Sequence, residues 1–176
     1  RMLDKTGSDG AATRDLVEMK ATWTDQDGNV YEVRCCGRVL THGVAFPTLG
    51  GVVTNHLIHG FTGIGTPLMP TAFAQVAFWG MGDVRLNGRV LDKPRLVHGM
   101  LTEYTRKQGY DLAQDDELRP DEGRHFHIFV PEITLTADRE RLEREPVDTG
   151  FTMDNGEPLP FWHVMFERVS VKTGSP

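Results

Sequence analysis

The feature that most constrains this chain is a period of two. In Val17-Glu18-Met19-Lys20-Ala21-Thr22-Trp23 the odd positions are apolar and the even ones polar. Side chains alternate across a β-strand, so such a run buries one face and wets the other, whereas a helix would scatter the apolar residues round its axis. Asp27-Gly28 then marks a turn, and Tyr31, Val33 and Cys35 alternate with Glu32 and Arg34. Together these predict a hairpin with one wet face. Ala72 to Phe78 is apolar on both faces and reads as a central strand. Asn87-Gly88 predicts a tight hairpin turn, because both residues tolerate positive φ. Val97 to Thr105, Phe126 to Thr136 and Phe161 to Val171 supply three more strands rich in β-branched and aromatic residues.

One segment reads as a helix. Ala137 to Glu145 is built of strong helix formers with a single clear apolar position, Leu142, which predicts a short solvated helical connector. Gly60 to Pro70 and the acidic stretch Gln114 to Arg124 read as loops. Asp115, Asp116 and Glu117 read as a solvated acidic turn, since they lack the regular ligand spacing of a calcium loop. No repeat of fixed period and no interdomain linker appears. The expectation is an all-β, antiparallel sandwich or small barrel of roughly seven to ten strands, sequence periodicity alone leaving that choice open. Residues 1–14, polar and Gly-rich, are expected to form a flexible N-terminal segment before a single β domain over 15–176.

The 176 residues suffice for a hydrophobic core. A formal charge of −6 and the lack of any basic stripe argue against nucleic acid as a partner. No apolar run approaches the roughly 20 residues of a transmembrane helix. A chain opening at Arg1 is what removal of a leader would leave, so a periplasmic or secreted location is expected, with the cytoplasm left open. Cys35 and Cys36 are neighbours and would point to opposite faces of a strand, where a bond between them needs unusual backbone geometry. They read best as small buried hydrophobes and fix no compartment.

The chemistry-bearing pattern also uses the strand period. His98-Gly99-Met100 and His163-Val164-Met165 are both His-x-Met, and His125-Phe126-His127 is His-x-His. At that spacing both side chains leave the same face, roughly 6 to 7 Å apart along the strand. Imidazole with thioether is a soft ligand set that suits Cu(I), and clustered imidazoles suit Zn(II) or Cu(II). His98, Met100, His125, His127, His163 and Met165 are therefore the candidate ligands of a copper or other transition-metal ion. The competing expectation is that these residues only pack, since methionine on an apolar face ordinarily fills gaps.

His125-Phe126-His127, four residues and then Glu132 has the spacing of the first motif of the cupin family of small β-barrels, and Pro158 to His163 is spaced like the second. The likeness spans about 40 residues. The flanking glycines of the first motif are absent, Pro160 stands where a glycine is expected, and Glu167 where an asparagine is. What this resemblance implies is a divalent metal held by His125, His127, Glu132 and His163. Other catalytic signatures are missing, with no Gly-x-Ser-x-Gly elbow and no Walker loop. Gly63-Ile64-Gly65-Thr66-Pro67 opens no helix and so does not read as a dinucleotide loop.

Three functions follow as expectations. The leading one is a non-catalytic extracytoplasmic binding protein with a copper-type His/Met site. The others are a cupin-like metal-dependent enzyme, and a structural subunit or apolar-ligand carrier whose histidines pack. The apolar run Phe161 to Phe166 leaves open a protein partner or self-association through a strand face.

Overall fold

The computed structural model describes residues 1–5, 14–40, 50–91, 94–103, 105 and 123–172. Eleven strands run in chain order: β1 (Met2–Leu3), β2 (Leu16–Thr24), β3 (Val30–Arg38), β4 (Val52–Ile58), β5 (Ala72–Leu86), β6 (Arg89–Val90), β7 (Arg95–Glu103), β8 (Arg124–Val130), β9 (Ile133–Leu135), β10 (Leu142–Arg144) and β11 (Trp162–Phe166). Every pairing among them is antiparallel. Nine strands form one sheet in the order β1-β2-β3-β5-β7-β8-β11, with β4 and β6 also on β5, and β9–β10 form a separate hairpin. The all-β antiparallel class read from the alternation is the class observed. No helix of the described residues is long and apolar enough to cross a membrane.

The sheet is organised by β5, whose 15 residues outreach any one neighbour. Its first half pairs with β4 and its last residues with β3 along one edge, while β7 and then β6 occupy the other. The two-residue turn at Asn87-Gly88, with φ of 50° and 81°, closes β5 onto β6 as the sequence predicts. The inward residues Val17, Ala21, Tyr31, Val33, Val84, Val97, Ile128, Val130 and Trp162 make one continuous core. Trp162 meets Trp23 edge-on at 5.1 Å and Tyr31 at 5.5 Å. The two ends of the strand order thus come together through aromatic rings, with no backbone pairing between β11 and β2 in the described ladder. This is a single curled sheet, closer to an incomplete barrel than to a two-sheet sandwich. Close approach requires glycine at 99, where a Cβ would stand 2.2 Å from the Phe78 ring.

Arg95 is fully buried at the end of β7. Its guanidinium donates to the backbone carbonyls of Pro131 and Glu145 and lies 3.9 Å from the Glu145 carboxylate. The segment after β10 is thereby tied to the barrel, and Phe151 continues it by stacking on Tyr31 at 5.6 Å.

Two expectations are corrected here. Ala137 to Glu145 is not a helix: Thr136 to Arg141 is a turn and Leu142–Arg144 is β10, paired with β9. With one apolar position this segment had no face to bury. Asp138 accepts from the Thr136 hydroxyl and the Glu140 N–H, and Thr136 N–H reaches the Arg141 carbonyl, so local bonds favour the turn. The helical turn among the described residues is a 3-10 turn at Gly60–Thr62. The adjacent cysteines are also not opposed. Their peptide bond is cis, they are disulfide-bonded, and both sulfurs lie against Gly80. The acidic turn at 115–117, Tyr104 and most of the expected N-terminal segment lie outside the described residues, although Met2–Leu3 pairs with Leu16 and Val17.

Candidate functional site

Register decides which side chains share a face. Across β7, β8 and β11, His98 stands opposite Phe129, which stands opposite His163; Met100 faces His127, which faces Met165; Thr102 faces His125. Directly opposed residues project from the same side of a sheet. All six residues singled out by the strand period therefore lie on one face, the outer one. The alternate set, including Val97, Leu101, Phe126, Ile128 and Trp162, points the other way.

The hydrogen bonds fix the tautomers. Thr102 Oγ1 donates to the Glu103 carbonyl at 2.8 Å, so it can only accept from His127 Nε2 at 3.1 Å. His127 then carries its proton on Nε2, and its Nδ1 lone pair accepts from His163 Nε2 at 3.2 Å. These two rings stack with centroids 5.5 Å apart. His163 is exposed and His127 is 1% exposed, so the pair runs from the surface into the interior. Burial, with the rings of His163, His125, His98 and His59 adding to it, lowers the His127 pKa to about 2. His127 is neutral at physiological pH.

His98 uses its Nδ1–H on the Phe78 carbonyl at 2.7 Å and stacks on Trp79 at 4.5 Å. Burial lowers its pKa to about 4, the Phe78 bond opposing and His59 and His163 reinforcing the shift. His125, fully buried, accepts at Nδ1 from the Thr105 N–H at 3.3 Å, with the Thr105 hydroxyl at 3.2 Å. Its ring meets His127 edge-on at 5.7 Å.

The sequence reading missed Thr102 and His59. Ile58, Ala74, Ala77 and Met100 form a second small apolar cluster on this outer face, and Ile64 packs onto it. The segment after β4 thus folds back over the sheet and brings His59 with it. His59 is 8% exposed, and burial lowers its pKa. The available signal was the run of glycines at 60, 63 and 65, which marks backbone packed against something. β4 itself was also missed, because Asn55 at φ 54° breaks its alternation.

Not everything converges. Among the described residues no three His, Cys, Asp or Glu side chains surround a point that a metal ion could occupy. The nitrogens in direct contact are those of His127 and His163; the thioethers of Met100 and Met165 flank His127 by register. Glu132 instead binds Arg144 at 3.0 Å beside the β9–β10 hairpin, so the four-residue set implied by the cupin resemblance is not assembled. Pro131 ends β8 and turns the chain before Glu132.

This geometry defines a class: an antiparallel β domain carrying imidazoles and thioethers on one face, from buried His125, His127 and Met100 to exposed His163. No protein-family model, curated protein or solved structure matches the chain, so the site's own chemistry is the basis for assigning a role.

Proposed function

We propose that this domain is a non-catalytic, extracytoplasmic binding protein that holds a soft transition-metal ion, copper in its reduced state, at His127 and His163 with the flanking methionines. The observation that carries this reading is the 3.2 Å separation of His127 Nδ1 and His163 Nε2. Two imidazole nitrogens on one tetrahedral metal, at bonds of about 2.0 to 2.1 Å, stand about 3.3 Å apart. The spacing of this hydrogen bond is therefore also the bite of a metal. Occupation requires His163 to move its proton to Nδ1, while Thr102 already holds the His127 proton on Nε2 and leaves Nδ1 as the donor atom. Such an outer partner is what orients a metal-binding imidazole.

Thioethers favour Cu(I) over harder ions. Elemental analysis of protein purified without chelators or a polyhistidine tag is expected to find near-stoichiometric copper. Titration with Cu(I) under reducing conditions is expected to show one site that weakens at least tenfold in His127→Ala and in His163→Ala. Protein that arrives without metal and takes none up would overturn the reading.

A further inference from the structure

We propose that the loop after β4 is a lipid-docking element, which seats Phe61 and Leu68 in the interfacial region of a zwitterionic bilayer. Phe61 is 98% exposed and Leu68 86%. Apolar side chains scattered singly over a surface are ordinary, but these two are neighbours. The Gly60 N–H donates to the Met69 carbonyl at 3.1 Å, so Phe61 and Leu68, the next residues on the tip side of that bond, stand together. Ile64 turns the other way and anchors the loop on the Ile58, Ala74, Ala77 and Met100 cluster. Leu57 and Phe73, directly opposed on β4 and β5, are also exposed at the strand ends that carry the loop.

Two features select lipid over a protein partner. The first is the missing charge. The 19 Lys and Arg and 25 Asp and Glu of the chain all fall outside residues 39–82. Burial explains this along β5, but not at a loop tip that stands in water. A charge beside an apolar tip resists entry into a bilayer, and the net charge of −6 carried elsewhere turns the chain away from anionic lipid. The second feature is the backbone. Lipid offers no acceptors, so a segment entering it must satisfy its own N–H groups. Here the His59 and Thr62 N–H groups reach the Ile64 and His59 carbonyls at 2.7 and 3.1 Å, as Gly60 reaches Met69. Side chains take the next four: Thr71 Oγ1 accepts from Phe61, Thr62 Oγ1 from Ile64, His59 Nδ1 from Thr66 and Thr66 Oγ1 from Leu68. Pro67 and Pro70 have no N–H to satisfy. A protein partner supplies acceptors itself and asks for no such closure. The closure has a backbone cost. His59 is held at φ 67°, and a Cβ at Gly60 would collide with the Thr71 hydroxyl.

The test is co-sedimentation of the whole chain with phosphatidylcholine vesicles. The parent is expected to partition onto them, equally at low and high salt because no charge takes part. Phe61→Ser and Leu68→Ser are each expected to weaken partitioning roughly tenfold. Their melting temperatures should match the parent's, since so little of either side chain touches the fold. Val90→Ser, at an exposed apolar position on β6, is the control and is expected to stay within twofold of the parent. His163→Ala is expected to do the same, which separates this surface from the metal reading. No partitioning by the parent, binding that salt abolishes, or an equal loss in Val90→Ser would each overturn the proposal. So would a concentration-dependent dimer, formed without vesicles and dissolved by Phe61→Ser, because the patch would then belong to a second copy of this chain. The vesicle and salt measurements on the parent need no variant, so they decide even where a substituted chain fails to fold.

Discussion

The outer face of this one sheet has two very different ends. On β2 and β3 the outward residues are Lys20, Glu32 and Arg34, with Arg85 of β5 alongside. Glu32 lies 2.5 Å from Arg34 and 3.0 Å from Lys20, and those bonds, Arg34 first, hold its carboxyl below the usual range. Water covers these charges, and such pairs contribute little. On β7 and β8 the outward residues include Met100, Thr102, His125 and His127, each at most 4% exposed, with His98 and Phe129 half-buried beside them. Both ends alternate in sequence, and both turn their other face to the same core. The difference is cover: once an outward polar group is shut off from water, its hydrogen bonds must be made inside the protein. That is why the dry end carries a linked set of imidazoles and hydroxyls where the wet end carries surface ion pairs whose Lys20 and Arg34 remain open to water.

The largest effect should come from giving the dry end a wet-end residue. Met100→Lys places an unpaired ammonium among Ile58, Ala74 and Ala77, and is expected to cost more than about 3 kcal/mol in urea unfolding. Thr22→Lys, on the exposed face of β2, is the matched control, and an equal cost at both sites would erase the distinction.

Acid should separate the ends next. An unfolded histidine titrates near 6.5, whereas folded His127 and His98 resist protonation until about 2 and about 4. Below pH 6.5 the unfolded chain takes up protons that the folded one refuses, so stability is complete above that pH and falls as the pH drops. For His127 the loss is about 1.4 kcal/mol per pH unit, and His98 adds to it down to about pH 4. Unfolding midpoints measured from pH 7 to 4 should show this slope, and a flat profile would contradict buried neutral imidazoles. His127→Gln should flatten part of it.

A subtler probe is Thr102→Val, which keeps the shape and strands the His127 Nε2–H. The expected cost is about 1 to 3 kcal/mol, together with a 10- to 100-fold loss of Cu(I) affinity by the same competition titration. Lys20→Ala at the wet end marks the floor of the series. Its unfolding midpoint should match that of the parent within error, and a large shift would mean that the exposed ion pairs matter more than solvent screening allows.

Much of this was legible beforehand, and the boundary is instructive. His-x-Met at positions 98–100 and 163–165 and His-x-His at 125–127 each predicted a shared face within one strand, because alternation is a local property. That three strands would bring all six residues to the same face depended on register, which pairs residues some 30 positions apart. The short solvated helix expected at 137–145 did not form because, with Leu142 as its one apolar position, it had no face to bury, and bonds between Thr136 and Arg141 close a turn instead. His59 had no periodicity to mark it, and the glycines at 60, 63 and 65 were the one local sign of a loop folding back.

By itself, then, the sequence determined the strand class, the one buried and one wet face of β2 and β3, the Asn87-Gly88 turn and the pairwise placing of each histidine with its partner. These are settled within a few residues by steric alternation and turn chemistry. Tertiary structure alone decided that the sheet curls until Trp162 meets Trp23, that His127 and His163 come within 3.2 Å, and that a loop covers one end of the outer face. Those outcomes depend on long-range register and on which surfaces lose their water, and no local pattern encodes either.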